Sequence, residues 1–247
     1  MHGSAFHHAI ELYELSGRTM TVEQAQEKYY EYYDQAIKDS LEENPDYTDW
    51  MTGGNKKGEK DIADRREKGA DQVAIYISYA EAHSDEWRIY PIGPRGYAVE
   101  LEFNIEFGGV MVKGFIDQVR EYRDGRIVPV DLKSGTREPA SGFQLGVYAH
   151  AIHEYMGVLP ETGVFFMPKL KRDGSLVGDV MKDLRPWNRD MVNSMFRQFD
   201  TAERAGVYIP NPGDGCRTCG VAQYCRAQGN PDKAAMFATI TQRPQAS

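Results

Sequence analysis

Gly114-Phe115-Ile116-Asp117, followed by Val130-Asp131-Leu132-Lys133-Ser134-Gly135, is the stretch that decides the fold of this chain. Val110 to Glu121 and Ile127 to Lys133 read as adjacent β-strands, with Arg123-Asp124-Gly125-Arg126 as the turn between them. Side chains alternate along a strand, so Asp131 and Lys133 share a face while Leu132 points the other way. A hairpin closed by that turn brings Asp117 beside Asp131. Two carboxylates that close repel unless a cation lies between them, and oxygen-only ligands suit Mg²⁺ or Mn²⁺. A lysine at the rim can hold a phosphate or steady an attacking water. The pattern points to metal-dependent cleavage of a phosphodiester.

Upstream of this hairpin, Val99, Leu101, Phe103 and Ile105 alternate with Glu100, Glu102, Asn104 and Glu106, the mark of a half-buried strand, and Gly108-Gly109 turns the chain into the Asp117 strand. Further back the period is helical. Phe6, Ile10 and Tyr13 define a helix over Gly3 to Leu15. Thr21 with Gln24 three residues later forms a capping box that opens a second helix, running to about Leu41. Asn44 to Lys60 reads as a surface loop, and Asp61 to about His83 as a third helix. Downstream come a Ser-Gly-Thr loop, a helix from about Ser141 to Tyr155, a strand Val164 to Met167 ended by Pro168, a polar hairpin around Asp173-Gly174, and a helix from about Pro186 to Ala205. The order predicts an α/β layer with a small mixed sheet flanked by helices.

The 247 residues suit one domain with appendages: a core over 1–205 with a helical insert at about 22–87, and a cysteine-bearing tail over 206–247. The hydrophobic share of 41% supports an ordinary core, and no apolar run is long enough to span a bilayer. The N-terminus lacks a basic segment followed by an apolar one, so the expected location is cytoplasmic, with no membrane partner. A net charge of −8 argues against coating nucleic acid over the whole surface, but it leaves room for a local groove beside an acidic metal site.

An isolated Asp-x-Lys carries little information; its neighbours carry more. Gly-x-x-Asp ends in Asp117. Gln144 and Tyr148, four residues apart, share a face of the following helix. Gly3-Ser4-Ala5-Phe6-His7 places an imidazole on the first helix. The set Gly-x-Ala-x-His, Gly-x-x-Asp, Asp-x-Lys-x-Gly and Gln-x-x-x-Tyr, in this order, resembles the RecB-like, Cas4-like exonuclease branch of the PD-(D/E)XK nuclease superfamily. The likeness runs from His7 to Cys225, with no recognisable counterpart for the insert between about Val22 and Trp87.

The resemblance implies a restriction-endonuclease-like core and a DNA nuclease, expected to be an exonuclease of recombination or repair. Its substrate would be DNA that is single-stranded or has free ends, with a helicase or recombination partner. It also implies that His7, Asp117, Asp131 and the carbonyl of Leu132 bind Mg²⁺ or Mn²⁺, that Lys133 orients or activates the water and neutralises charge developing on the phosphate, and that Gln144 and Tyr148 contact the nucleic-acid backbone and support the site. The bland rivals are a surface ion pair for Asp131 and Lys133, which contributes little stability, and a plain core aromatic for Tyr148. A different class of function is a RecB-like fold kept as a DNA-binding or scaffolding module without turnover.

All three cysteines, Cys216, Cys219 and Cys225, fall in one short stretch. An odd number so closely spaced argues for thiolate ligation of a metal over a disulfide framework. By itself the element fits an incomplete zinc site on an interaction domain. Preceded by Tyr208-Ile209-Pro210-Asn211-Pro212, it resembles the AddB-type element that helps bind a [4Fe–4S] cluster in the same branch. There a fourth cysteine lies upstream of the Gly-x-Ala-x-His helix; here Met1 stands two residues before Gly3 and no cysteine precedes it. Either a longer natural chain supplies it, which is the favoured expectation, or another ligand takes its place, or the cysteines hold no metal.

Overall fold

The computed structural model describes residues 1–47, 50, 58–207, 216, 219–222 and 225. Three helices come first: α1 (His2–Leu15), α2 (Val22–Glu43) and α3 (Gly58–Ala82). Then follow β1 (Trp87–Ile89), β2 (Val99–Phe107), β3 (Val110–Tyr122), β4 (Ile127–Leu132), α4 (Phe143–Met156), β5 (Thr162–Leu170), β6 (Leu176–Asp183) and α5 (Arg189–Arg204). The strands form one six-stranded mixed sheet in the order β1-β3-β4-β5-β6, and β2 also pairs with β3. Only β4 and β5 run parallel. A parallel pair needs a crossover, and α4 supplies it. This is the mixed α/β architecture expected from the chain, a sheet flanked by helices in the restriction-endonuclease-like manner.

Local chemistry accounts for the element ends. Thr21 Oγ1 accepts from the Gln24 N–H at 3.2 Å, and Gln24 Oε1 accepts from the Thr21 N–H at 2.9 Å, which closes the capping box at the start of α2. Gly108 and Gly109, both at positive φ (62° and 88°), make the two-residue turn that sets the register of β2 against β3. Two expectations need correcting. Pro168 does not end its strand: β5 continues to Leu170, and the missing N–H is absorbed by a register shift between Met167 and Leu170. The short β1 was not expected at all, because three residues cannot establish a period, whereas the hairpin expected around Asp173-Gly174 is present as the antiparallel β5–β6 pair. Most of the loop expected over 44–60 lies outside the described residues.

The segment between α1 and β1 is part of the core. Ala25, Tyr29, Tyr33, Ala70, Val73, Tyr76 and Ile77 are buried with the sheet and α1 in one cluster. Tyr29 and Tyr33 stack at 5.7 Å and donate their hydroxyls to the carbonyls of Arg65 and Ile62. Below them runs a buried polar network. Tyr76 donates to Glu14 at 2.5 Å and accepts from Gln118 at 2.6 Å, and Arg18 pairs with Glu14 at 2.8 Å. Arg120, fully buried, lies 3.8 Å from the Trp87 ring centroid and meets both oxygens of Asp179 at 3.0 and 3.1 Å. Because every charged member has a partner, burial does not leave an isolated ion. Gln72 Nε2 on α3 donates to the Ser134 carbonyl at 3.0 Å, which ties the helical segment to the loop after Lys133.

Candidate active site

Three neighbouring strands set out the acidic residues. The register pairs Val99 with Gln118 and Leu101 with Ile116, so Glu100 stands opposite Asp117. On the other side Gln118 pairs with Val130, which carries Asp117 beside Asp131. A row of three carboxylates therefore crosses β2, β3 and β4. Asp117 is 7% exposed and Asp131 1%. Like charges facing each other across strands are destabilising, and burial raises the cost. Glu100 adds a third cost: its φ of 45° lies in the left-handed region that side-chain-bearing residues rarely adopt, and such strain amounts to about 1–3 kcal/mol.

His7 reaches this row from α1, whose buried Phe6, Ile10 and Tyr13 fix the helix against the core. Its Nε2–H donates to the Leu132 carbonyl at 2.8 Å, leaving Nδ1 facing Glu100 at 3.5 Å and Asp117 at 3.6 Å. Metal-ligating histidines characteristically hold their second nitrogen in this way. One ligand atom each from His7, Glu100 and Asp117 lies within 4.8 Å of the others, the only such His/Cys/Asp/Glu grouping among the described residues. The cysteines are no part of it. Burial pushes the Asp117 carboxyl up, and Asp131 and Glu100 add to this against the opposing pull of His7. Burial also raises Asp131, against the pull of Lys133. For His7, burial opposes charge, but the hydrogen bond to Glu100 and the charges of Asp117 and Glu100 outweigh it and raise the imidazole.

Lys133 and α4 complete the arrangement. Lys133 Nζ lies 2.6 Å from Asp131 Oδ2, yet that oxygen accepts no well-directed hydrogen bond. The contact is an ion pair with a lone pair left over. Lys133 Nζ donates to Gln144 Oε1 at 3.1 Å, and Gln144 Nε2 donates to the Tyr148 hydroxyl at 2.8 Å. The four-residue spacing on α4 thus produces a chain Lys133–Gln144–Tyr148. Tyr148 is buried with Phe103 edge-on to its ring at 6.1 Å. Burial, then the charges of Asp117 and Asp131, hold its phenol far above the usual range, so it stays neutral. Asp117 is anchored too, its Oδ2 accepting from the Leu132 N–H at 2.6 Å.

The structure brings His7, Asp117, Asp131, Leu132, Lys133, Gln144 and Tyr148 together around the end of β4. Of the three cysteines, none joins that His7–Glu100–Asp117 grouping; the Cys219 N–H donates to the Cys216 carbonyl at 3.4 Å and the Cys225 N–H to the Ala222 carbonyl at 3.1 Å. Sequence reasoning missed Glu100, which looked like one of four polar positions on a half-buried strand. The signal was there: a two-residue Gly108-Gly109 turn fixes which β2 residue meets Asp117. The donor set, one imidazole and neighbouring buried carboxylates, fits a hard divalent ion.

Comparison with known proteins agrees with this chemistry. The chain is 32% identical over 228 residues to the Gene 69 protein of Mycobacterium phage D29, covering 90% of this chain and 83% of that protein. It is 33% identical over 247 residues to the Gene 69 protein of Mycobacterium phage L5, with the same coverage. The PD-(D/E)XK nuclease superfamily model matches residues 1–226, a span that holds the helical segment, the acidic row and Lys133 alike. Nucleases of that superfamily use divalent metals such as Mg²⁺ or Mn²⁺. By its sheet, its acidic row and that match, this chain belongs to the PD-(D/E)XK nuclease superfamily.

Proposed function

We propose that the protein is a divalent-metal-dependent deoxyribonuclease that hydrolyses phosphodiester bonds from DNA ends, on single strands or strands with free termini, in recombination or repair. The observation that carries this is the row Glu100–Asp117–Asp131 with Lys133 at its edge. His7 Nδ1, Asp117, Asp131 and Glu100 would hold Mg²⁺ or Mn²⁺, with the Leu132 carbonyl at hand. The ion, when bound, supplies Lewis acidity toward the phosphoryl oxygen. Lys133 neutralises charge developing on the phosphate and orients the attacking water, and Gln144 holds the ammonium in place. Tyr148, buried and neutral, positions Gln144. The branch of the superfamily is the RecB-like one, on the strength of the four motifs in order.

The test is digestion of end-labelled single- and double-stranded DNA with Mn²⁺ or Mg²⁺, comparing wild type with Asp131→Ala and Lys133→Ala. Loss of cleavage in both variants is expected; equal cleavage by all three would falsify the assignment of the site, and no cleavage by the wild type with either metal would favour a DNA-binding module without turnover. The cysteine spacing supports a [4Fe–4S] cluster on Cys216, Cys219 and Cys225 with a ligand from elsewhere. Iron and sulfide in the purified protein are the expected result, and zinc alone counts against it.

A further inference from the structure

Beside the acidic row, the outer edge of β2 carries a feature that the metal site does not use. The loop Pro94–Tyr97, the strand itself, Phe115 and Tyr155 enclose an open groove of about 440 Å³, and Glu100 is one of its walls. Three aromatic rings line it and remain open to solvent: Tyr97 (36% exposed), Phe115 (45%) and Tyr155 (48%). They come from three different parts of the chain. Phe115 stands two residues before Asp117 on β3, so it lies toward the same site.

The charges in and around the groove are balanced. Arg95 pairs with Glu11 of α1 and donates to the Val99 carbonyl at 3.2 Å; Lys113 pairs with Glu102 at 2.8 Å and lies 5.8 Å from the Phe115 ring. In a chain of net charge −8, a groove without surplus cations is a poor seat for a duplex, which carries one phosphate per about 1.7 Å. A single strand has the lower charge density, and its unpaired bases offer a second source of affinity. Each has a π-face that stacks on an aromatic side chain irrespective of its identity. From the exposed rings, the charge balance and the shared Glu100 wall, we infer that this groove binds the unpaired bases of a single strand next to the scissile phosphate, with Phe115 and Tyr97 as stacking platforms and Tyr155 closing the far side. The subsite rests on the nuclease assignment for its substrate class, but its stacking does not depend on turnover.

The test uses the full chain carrying Lys133→Ala, saturated with Mn²⁺, and an oligothymidylate with one 2-aminopurine whose emission is quenched on stacking. Quenching is expected on binding. Phe115→Leu and Tyr97→Leu, each added to this background, should abolish most of it and weaken binding roughly tenfold, within the range of one lost base–aromatic stack. Mn²⁺ binding, followed by calorimetry, should stay unchanged and so report an intact fold. Quenching and affinity equal to the parent in both variants overturn the subsite, as does a duplex oligonucleotide that competes as well as the single strand. If quenching needs Phe115 while the wild type digests no DNA with Mn²⁺ or Mg²⁺, the groove stands and the nuclease assignment falls; digestion by the wild type with quenching that ignores Phe115 and Tyr97 removes the groove alone.

Discussion

Glu100 and Asp117 face each other across the β2–β3 pair, with Glu100 held at a left-handed φ of 45°. Two costs, like-charge opposition and backbone strain, coincide at one position, and a divalent ion relieves the first. Glu100→Gln keeps the size and the hydrogen-bonding tip but removes the charge. It should weaken Mn²⁺ binding by about tenfold or more in a calorimetric titration, by analogy with the 10–100-fold losses seen when groups supporting a metal site are removed. An unchanged isotherm would take Glu100 out of the site.

Lys133 separates binding from chemistry. Its ammonium touches Asp131 and Gln144, and His7, Glu100 and Asp117 form a grouping without it. Lys133→Met should therefore leave Mn²⁺ affinity within a few-fold and lower the cleavage rate by about 10²–10³, the range for one lost electrostatic stabiliser. Gln144→Leu, which removes only the group steadying the ammonium, should lose less. A larger loss for Gln144→Leu than for Lys133→Met would contradict the order of roles.

The acidic row also sets a pH dependence. Burial, with Asp131 and Glu100 close by, pushes the Asp117 carboxyl up from its ordinary 3.8 to about 7. Between those values the folded protein keeps a proton that the unfolded chain has released, so this group's contribution to stability falls as pH rises from about 4 to 7. Asp117→Asn removes the titration. In chelator, the wild type should lose stability relative to Asp117→Asn as pH rises through that window, measured by urea unfolding at pH 5 and 7.5. Mn²⁺ binding to the wild type should strengthen over the same window, because the ligand must be ionised. A stability difference that is flat or rises with pH speaks against a shifted Asp117.

The helical segment should prove part of the same cooperative unit as the site. A Cβ at Gly69 would overlap the Tyr29 ring, whose hydroxyl is already committed to the Arg65 carbonyl. Gly69→Ala should destabilise by about 1–3 kcal/mol through overpacking. Tyr76→Phe leaves buried Glu14 and Gln118 short of a partner and should cost about 1–3 kcal/mol. Both are read from urea midpoints. An unfolding transition in which α2 and α3 melt separately from the sheet would contradict the packing.

Asp117, Asp131 and Lys133 were legible from residues alone because strand alternation and a short turn are local rules, and they place three side chains without knowledge of the rest of the chain. Gln144 and Tyr148 followed from helical spacing in the same way, although their joining to Lys133 did not. His7 was reached by the motif set, and only packing of α1 turned its Nδ1 toward the carboxylates and its Nε2 to Leu132. Glu100 shows the boundary most clearly. Its place opposite Asp117 follows from the turn, but its left-handed backbone and its distance from His7 depend on two elements meeting across 93 positions of chain. The stretch between about Val22 and Trp87 read as an insert because helical periodicity shows which face is apolar and not what covers it. Tertiary structure decided that it covers α1 and the sheet, through Tyr29, Tyr76 and Gln72, since long-range contacts are formed by shape and burial that no local pattern encodes.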